Sequence, residues 1–250
     1  MGLAYTIGKQ DYDKAINYYK KAIELNPDYA AAYYNLGLAY MEGKQDYDNS
    51  IKYYEGAIEI SPNSADAYYN LGFAYQVGKK NNAKAAEYYK KTIELNPNHA
   101  KAYVNLGNIY NNCEKDYEKA FECYKKAIES NPNLALAYYN LGRFCLERKQ
   151  DYDEAIKYYK KTIELNPNFA SAYYNLGFAY QEGKQDYDNS IKYYKKAIKL
   201  DPNSAAAYHN LGSIYLQQGK RSKATKYVKQ AARLGSIISQ EVLRDNNISW

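Results

Sequence analysis

The sequence predicts an all-α protein, a solenoid of stacked antiparallel helix pairs with a C-terminal capping helix. Two regularities carry that prediction. The six prolines, Pro27, Pro62, Pro97, Pro132, Pro167 and Pro202, stand 35 residues apart without exception. The dipeptide Leu-Gly follows the same ruler, at Leu36-Gly37, Leu71-Gly72, Leu106-Gly107, Leu141-Gly142, Leu176-Gly177 and Leu211-Gly212. Self-similarity at such a period marks supersecondary units stacked in a line. The thirteen residues EGKQDYDNSIKYY occur at 42–54 and again at 182–194; the separation of 140 is four periods, so they are one beat of the array.

Each beat reads as two helices. Within 30–43, Tyr33, Leu36, Gly37 and Tyr40 recur at three- and four-residue steps, which places them on one helical face. A second helix starts at Asp46. Its carboxylate suits an N-cap, Asp48 sits in the first turn where the helix dipole favours an anion, and Ile51, Tyr54 and Ile58 follow at helical spacing. Pro62 stops the helix, and the Asn and Ser beside it supply turn chemistry and the next N-cap. Neither helix has enough apolar face to stand alone, so stacking on neighbours must supply the core. In chain order, 1–29 reads as a partial first repeat, then 30–64, 65–99, 100–134, 135–169 and 170–204 as repeats, 205–234 as the last repeat and 235–250 as a capping helix and tail. Met1-Gly2-Leu3-Ala4-Tyr5 aligns with Leu36-Gly37-Leu38-Ala39-Tyr40, which suggests a chain that starts inside a first helix, as a fragment or a worn-down repeat. Beyond Gly235, SIISQEVLRDNN puts Ile238 and Val242, with Leu234, on one side of the expected cap.

Tyr33-x2-Leu36-Gly37-x2-Tyr40, then Ser50-x3-Tyr54, then Pro62 resembles the tetratricopeptide repeat (TPR), with tyrosine in place of its usual Trp and Phe. Tyr68, Leu71, Gly72, Tyr75, Ala85, Tyr89 and Pro97 form a second such set, and the resemblance covers nearly the whole chain. It implies a right-handed superhelix whose first helices line a concave groove for segments of other proteins. Two departures stand out. The family's period is 34, and the extra residue here lies in the link GKQDYD, the last link, GKRSKA at 219–224, returning to the shorter form; and Cys145 stands where neighbouring beats have tyrosine.

Composition narrows the functional classes. The chain has 250 residues, 46% hydrophobic and 25% charged, which is the composition of a folding protein. No apolar run approaches a membrane span and the first twenty residues carry Asp, Lys and Gln, so the expectation is a soluble, cytoplasmic protein. Three cysteines fit a reducing compartment better than a disulfide framework. Tyrosine dominates the aromatics, 34 residues against five Phe and one Trp. Asp46 and Asp48 lie two apart, do not share a helical face and read as cap and dipole partner rather than as a catalytic pair. His99 and His209 occupy different columns, and Cys113 and Cys123 lack a CxxC or a partner histidine, so no metal site or nucleophilic triad can be assembled. Cys123 and Cys145 replace tyrosines and read as buried structural thiols. No catalytic residue, metal or cofactor is expected.

The net charge of +6 comes largely from Lys20-Lys21, Lys90-Lys91, Lys125-Lys126, Lys160-Lys161 and Lys195-Lys196 in the second helices. By the resemblance these helices are convex, and a basic strip there could meet RNA or an acidic surface. Glutamates four residues on, as in Lys20 with Glu24, Lys90 with Glu94, Lys125 with Glu129 and Lys160 with Glu164, interleave the charge and support a merely solvated face.

The groove remains. The resemblance implies that the Asn before Leu-Gly holds a ligand backbone, and all six beats have it: Asn35, Asn70, Asn105, Asn140, Asn175 and Asn210. Between 31–54 and 171–194 only three positions differ, Ala31/Ser171, Leu38/Phe178 and Met41/Gln181, and they share one stripe of the first helix. These columns, with the tyrosine before the Asn, define a candidate peptide site: Tyr34, Leu38, Met41, Tyr69 and Phe73 as apolar and aromatic anchors, Lys101, Asn108 and Arg143 as a polar centre, and Tyr139, Tyr174 and Phe178 as a second aromatic patch. The expected ligand is an extended or amphipathic protein segment, apolar at its ends and acidic at its centre. Three classes stay open: a non-enzymatic peptide-binding scaffold, a self-assembling homo-oligomer using the N-terminal end or the tail around Trp250, and a nucleic-acid or acidic-surface binder.

Overall fold

The computed structural model describes residues 11–245, and every regular element among them is helical. The chain divides into two compact units, Met1–Pro132 and Asn133–Trp250. The first holds α1 (Tyr12–Leu25), α2 (Ala30–Ala39), α3 (Tyr47–Ile60), α4 (Ala65–Val77), α5 (Asn82–Leu95), α6 (Ala100–Ile109) and α7 (Tyr117–Ser130). The second holds α8 (Ala135–Phe144), α9 (Tyr152–Leu165), α10 (Ala170–Lys184), α11 (Tyr187–Leu200), α12 (Ala205–Gln217), α13 (Arg221–Arg233) and α14 (Ile237–Asp245). Within each unit every helix packs on its sequence neighbours, the helix-pair stacking expected of the repeats.

The core of each pair is one tyrosine pressed against one glycine. A Cβ on Gly37 would lie 2.7 Å from the Tyr54 ring, on Gly72 3.0 Å from Tyr89, on Gly107 2.7 Å from Tyr124, on Gly142 2.7 Å from Tyr159 and on Gly177 2.9 Å from Tyr194. A Cβ there would force the ring to shift, most tightly at Gly37, Gly107, Gly142 and Gly177, so the Leu-Gly glycine is what lets the second helix lie this close. Tyr54, Tyr89, Tyr159 and Tyr194 are fully buried, together with Leu36, Leu71, Leu141, Leu176 and Leu211. In the last pair Val228 takes the ring's place against Gly212.

The link holds the extra residue of the period. Gln45, Lys80, Lys115, Gln150 and Gln185 are left-handed, with φ of 51°, 51°, 55°, 51° and 50°. Three first helices widen into a π turn before it, at Tyr40–Lys44, Tyr110–Glu114 and Cys145–Lys149. The carbonyl of Tyr40 then accepts from the N–H of Asp46, six residues on, at 3.0 Å, and Tyr75, Tyr110, Cys145 and Tyr180 repeat this with Asn81, Asp116, Asp151 and Asp186. In the shorter last link Gly219 takes the left-handed place and the Tyr215 carbonyl accepts from Lys220, only five residues on, at 2.8 Å. The inserted residue thus delivers the aspartate to the N-cap of the second helix, where the Asp46 carboxylate accepts from the Asn49 N–H at 3.1 Å, with the same bond at Asp11, Asn81, Asp116, Asp151 and Asp186.

The rest of the link clamps the preceding repeat. Tyr12 lies over Gly43, Tyr47 over Gly78 and Tyr152 over Gly183, so close that a Cβ would fall 2.2 to 2.3 Å from the ring root. The adjacent lysines pair across the same joint: Lys44 with Asp13 at 2.7 Å, Lys184 with Asp153 at 2.5 Å, and Lys79 with Asp48. The three residues of DYD therefore divide the work, the first Asp capping, the Tyr docking under the next link and the second Asp holding its lysine. Where Tyr is replaced by Asn82, Gly is replaced by Cys113, and the Asn82 amide donates to Cys113 Sγ at 3.2 Å.

The lysine doublets also work between repeats. Lys20 lies over the Tyr40 ring at 5.8 Å, Lys90 over Tyr110 at 5.7 Å, Lys160 over Tyr180 at 5.5 Å and Lys195 over Tyr215 at 5.9 Å, each reaching from a second helix to the next first helix. Tyr40 in turn stacks on Tyr53 and Tyr180 on Tyr193, with centroids 5.5 and 5.6 Å apart. The ion pairs differ from the expected spacing: the second lysine of the doublet pairs three residues on, Lys91 with Glu94 and Lys126 with Glu129 at 2.8 Å and Lys161 with Glu164 at 2.7 Å, while Lys90 and Lys160 are held by the tyrosine and Lys125, which faces no tyrosine, pairs with Glu122 at 3.3 Å. Cys123 and Cys145 sit in the columns of those stacked rings, and burial raises both thiols to about 11.

In the capping helix α14, Ser239 and Leu243 are buried and Val242 half-buried, whereas Ile238 is 60% exposed. The cap therefore sits rotated from the side expected of it, because Ser239 Oγ meets His209 Nδ1 at 2.8 Å. Burial holds His209 below its ordinary value. The expected truncated helix at Met1–Tyr5 and the tail at Trp250 lie outside the described residues.

Two stability changes follow. Gly78→Ala, which would strengthen an unconstrained helix, should destabilise by about 1–3 kcal/mol through the Tyr47 clash. Adding Tyr47→Ala should remove most of that difference in a denaturant double-mutant cycle. Gln150→Gly should stabilise the second unit by about 0.5–1 kcal/mol in urea unfolding, since the left-handed conformation costs glycine nothing.

Candidate functional site

The residues singled out as a binding face are positioned by α2, α4, α6, α8, α10 and α12, and most are half-buried. Their asparagines turn out to be structural ties. Asn70 Nδ2 donates to Tyr34 Oη at 2.9 Å and Asn105 to Tyr69 at 3.4 Å; in the second unit Asn175 donates to Tyr139 and Asn210 to Tyr174, both at 3.3 Å. Asn105 and Asn210 also reach Tyr89 and Tyr194 at 3.2 Å. Each tie joins one first helix to the next and engages an amide N–H of Asn70, Asn105, Asn175 and Asn210 within the protein. Asn140 is buried, and Asn35 half-buried. Burial raises the tyrosines of this column, Tyr34, Tyr69 and Tyr174, above their ordinary values.

The variable columns carry a second duty. The hydroxyl of each core tyrosine emerges at them: Tyr89 Oη donates to Gln76 Oε1 at 2.8 Å, Tyr124 to Asn108 Oδ1 at 2.9 Å, Tyr194 to Gln181 Oε1 at 3.0 Å, and Tyr54 meets Met41 Sδ at 3.9 Å. Tyr159 is the exception. Its column holds Leu146, so its buried hydroxyl has the Asn175 amide beside it but no acceptor for its own proton among the described residues. Nearby, Arg143 Nε and Nη2 donate to Glu147 at 3.1 and 3.3 Å, so Arg143 carries its own counter-ion. Lys101 is exposed on α6.

The apolar members pack with the core. Tyr34, Leu38 and Met41 lie against Ile51, Tyr54, Leu71 and Ala74, and Tyr174 and Phe178 against the cluster of Tyr194 and Leu211. Tyr139 packs against Phe169 with centroids 4.7 Å apart and the rings tilted by 31°. In the first unit the face opens into two cavities. One, of about 400 Å³, joins the expected Met41, Tyr69, Asn70 and Phe73 to Glu42, Gln45 and Tyr47, which sequence reasoning missed. The other, of about 360 Å³, joins Tyr34 to Ala30, Ala31, Ala57, Ser61, Ser64 and Asp66. The missed residues come from links and second-helix ends, and only the neighbouring beat brings them to the face. Among the described residues no group of three His, Cys, Asp or Glu side chains could hold a metal ion, and no helix is long and apolar enough to cross a membrane.

A family model described as TPR repeat matches residues 2–42, 44–78, 114–143, 148–182 and 184–219, and two described as tetratricopeptide repeat match 88–122, 65–99 and 205–234. The chain belongs to the tetratricopeptide-repeat family. Tetratricopeptide repeats mediate protein–protein interactions. Among solved structures this TPR protein resembles MamA, with 32% identity over 68% of this chain and 97% of that one and a TM-score of 0.57. PilF of Pseudomonas aeruginosa shares the fold, with a TM-score of 0.75 at 24% identity over 86% of this chain and 97% of that one. YrrB, described as a TPR protein with an unusual peptide-binding site, matches at 26% identity over 77% of this chain and 96% of its own, with a TM-score of 0.59. A search of curated proteins finds no match.

Leu146→Gln should give Tyr159 the acceptor that Gln76 and Gln181 give Tyr89 and Tyr194, raising unfolding free energy by about 1 kcal/mol. The same change paired with Tyr159→Phe should lose that gain, as read by chemical denaturation.

Proposed function

We propose that this TPR protein is a non-enzymatic scaffold that binds an extended or helical segment of a partner protein along its first-helix face. The observation that carries the reading is the cavity that gathers Met41, Tyr69, Asn70 and Phe73 from two successive first helices, with Tyr47 and the link residues beside them. Apolar and aromatic side chains at a concave opening are the usual anchors of peptide interfaces. Phe178 with Tyr174 offers a second anchor of the same kind in the second unit. The peptide-binding site described for YrrB supports the reading by likeness.

The geometry reshapes the expected ligand. Four of the six asparagine amides already spend an N–H on a tyrosine, which favours affinity from side-chain pockets over a ladder of backbone contacts. Arg143 is already paired with Glu147, which weakens the case for an acidic centre.

Selection of a displayed random dodecapeptide library against the protein tests the proposal. Enriched peptides should bind at least about tenfold more weakly to a Phe73→Ala, Phe178→Ala variant with an unchanged helical circular-dichroism spectrum. Enriched peptides that bind this variant as well as the parent would show that the anchors lie elsewhere.

A further inference from the structure

We infer that the cavity of the first unit is built for an arginine side chain of the bound partner segment. This rests on the reading of the face as a peptide site and names what one pocket of it takes.

Three glutamates occupy equivalent positions one residue after the variable column. Glu147 holds Arg143 at 3.1 Å, and Glu182 accepts from Gln181 at 3.1 Å. Glu42 has no ion pair or hydrogen bond among the described residues, although it is exposed at the cavity of about 400 Å³. Of the lysines in the two links flanking that cavity, Lys44 pairs with Asp13 at 2.7 Å and Lys79 with Asp48, and Lys80, the left-handed residue of the second link, makes no ion pair with Glu42. The carboxylate is left to an outside cation.

The other walls select the shape of that cation. Half-buried Met41 and Phe73 offer an apolar surface for a methylene stem, and Tyr47 and Tyr69 add aromatic side chains to the lining. A long side chain that buries its stem and keeps its charged head near solvent matches both features. Guanidinium suits the aromatic walls better than ammonium, because it is planar, weakly hydrated and able to meet a carboxylate with two N–H groups. A wholly apolar occupant would cover Glu42 without compensating it, and an acidic one would be repelled.

The chain contains two methionines, which makes the pocket directly observable: ¹³C-methyl methionine labelling gives two resonances, and Met41→Leu assigns the one in the cavity. The probes are N-acetyl-arginine amide, N-acetyl-norleucine amide and N-acetyl-glutamate amide. The expected result is a saturable shift of the Met41 resonance with the arginine probe, about fivefold weaker in Glu42→Gln and weakened again by added salt. The arginine pocket is overturned if no shift occurs, if the norleucine or glutamate probe shifts Met41 as strongly, or if Glu42→Gln leaves the titration unchanged. Library peptides that bind the face while the arginine probe leaves Met41 unmoved would overturn this inference and leave the peptide-binding reading standing.

Discussion

The contact between the Leu-Gly glycine and the second-helix tyrosine is the constraint on which the remaining structure depends. With Gly37 bare, the Tyr54 ring lies flush on α2 and is fully buried. That approach fixes the separation of the two helices, which fixes where the tyrosine hydroxyl comes out. It comes out beneath the first-helix face. One side chain therefore serves as the core of its repeat and as a buried polar point under that face, and an aromatic residue without a hydroxyl would have served only the first purpose. The use of tyrosine where the family has Phe follows from this double position. Each hydroxyl then asks something of the first helix, and Gln76, Asn108 and Gln181 answer it.

A second layer of the structure joins repeat to repeat, and it is made almost entirely in the links. The left-handed residue at 45, 80, 115, 150 or 185 is the extra residue of the period. It costs conformational strain of the order of 1 kcal/mol in a non-glycine residue, and the compensation is positional. The following aspartate reaches its cap, the glycine before it reaches the preceding tyrosine, and the lysine between reaches the preceding aspartate. Lys20, Lys90, Lys160 and Lys195 add a further joint over the tyrosines of the next first helix. A basic strip that seemed available to nucleic acid is thus half occupied in holding the array together.

What could be read in advance was whatever a residue decides with its immediate neighbours. Proline periodicity, the Leu-Gly face and the Asp caps all act within a few residues, and the helix pairs follow from them. The joints were hidden because Gly43 and Tyr12, or Lys44 and Asp13, lie 31 residues apart and belong to different beats. A written trace was the paired change to Asn82 and Cys113, which share that same offset and alter both partners at once, as Ala83 and Glu114 do in the lysine–aspartate column. Met41, Tyr69 and Phe73 of the expected columns line one cavity, whereas the ties made by the asparagines were not legible. An asparagine can face a ligand or a tyrosine from the same backbone position, and only the position of Tyr34 Oη, 2.9 Å from Asn70, decides between them.

The variable columns consequently answer to two demands. At 76 and 181 glutamine satisfies a buried hydroxyl, so those positions are constrained by the core even though they vary along the array. At 41 the sulfur at 3.9 Å is a weak acceptor, and the position gives up that bond in exchange for an apolar surface beside Phe73. At 146 leucine gives no acceptor at all and leaves Tyr159 buried with none. A buried hydroxyl without an acceptor is destabilising, so core stability alone would favour glutamine at every one of these positions. The departures at 41 and 146 run against the needs of the fold, and departures of that kind are where binding properties are expected to reside.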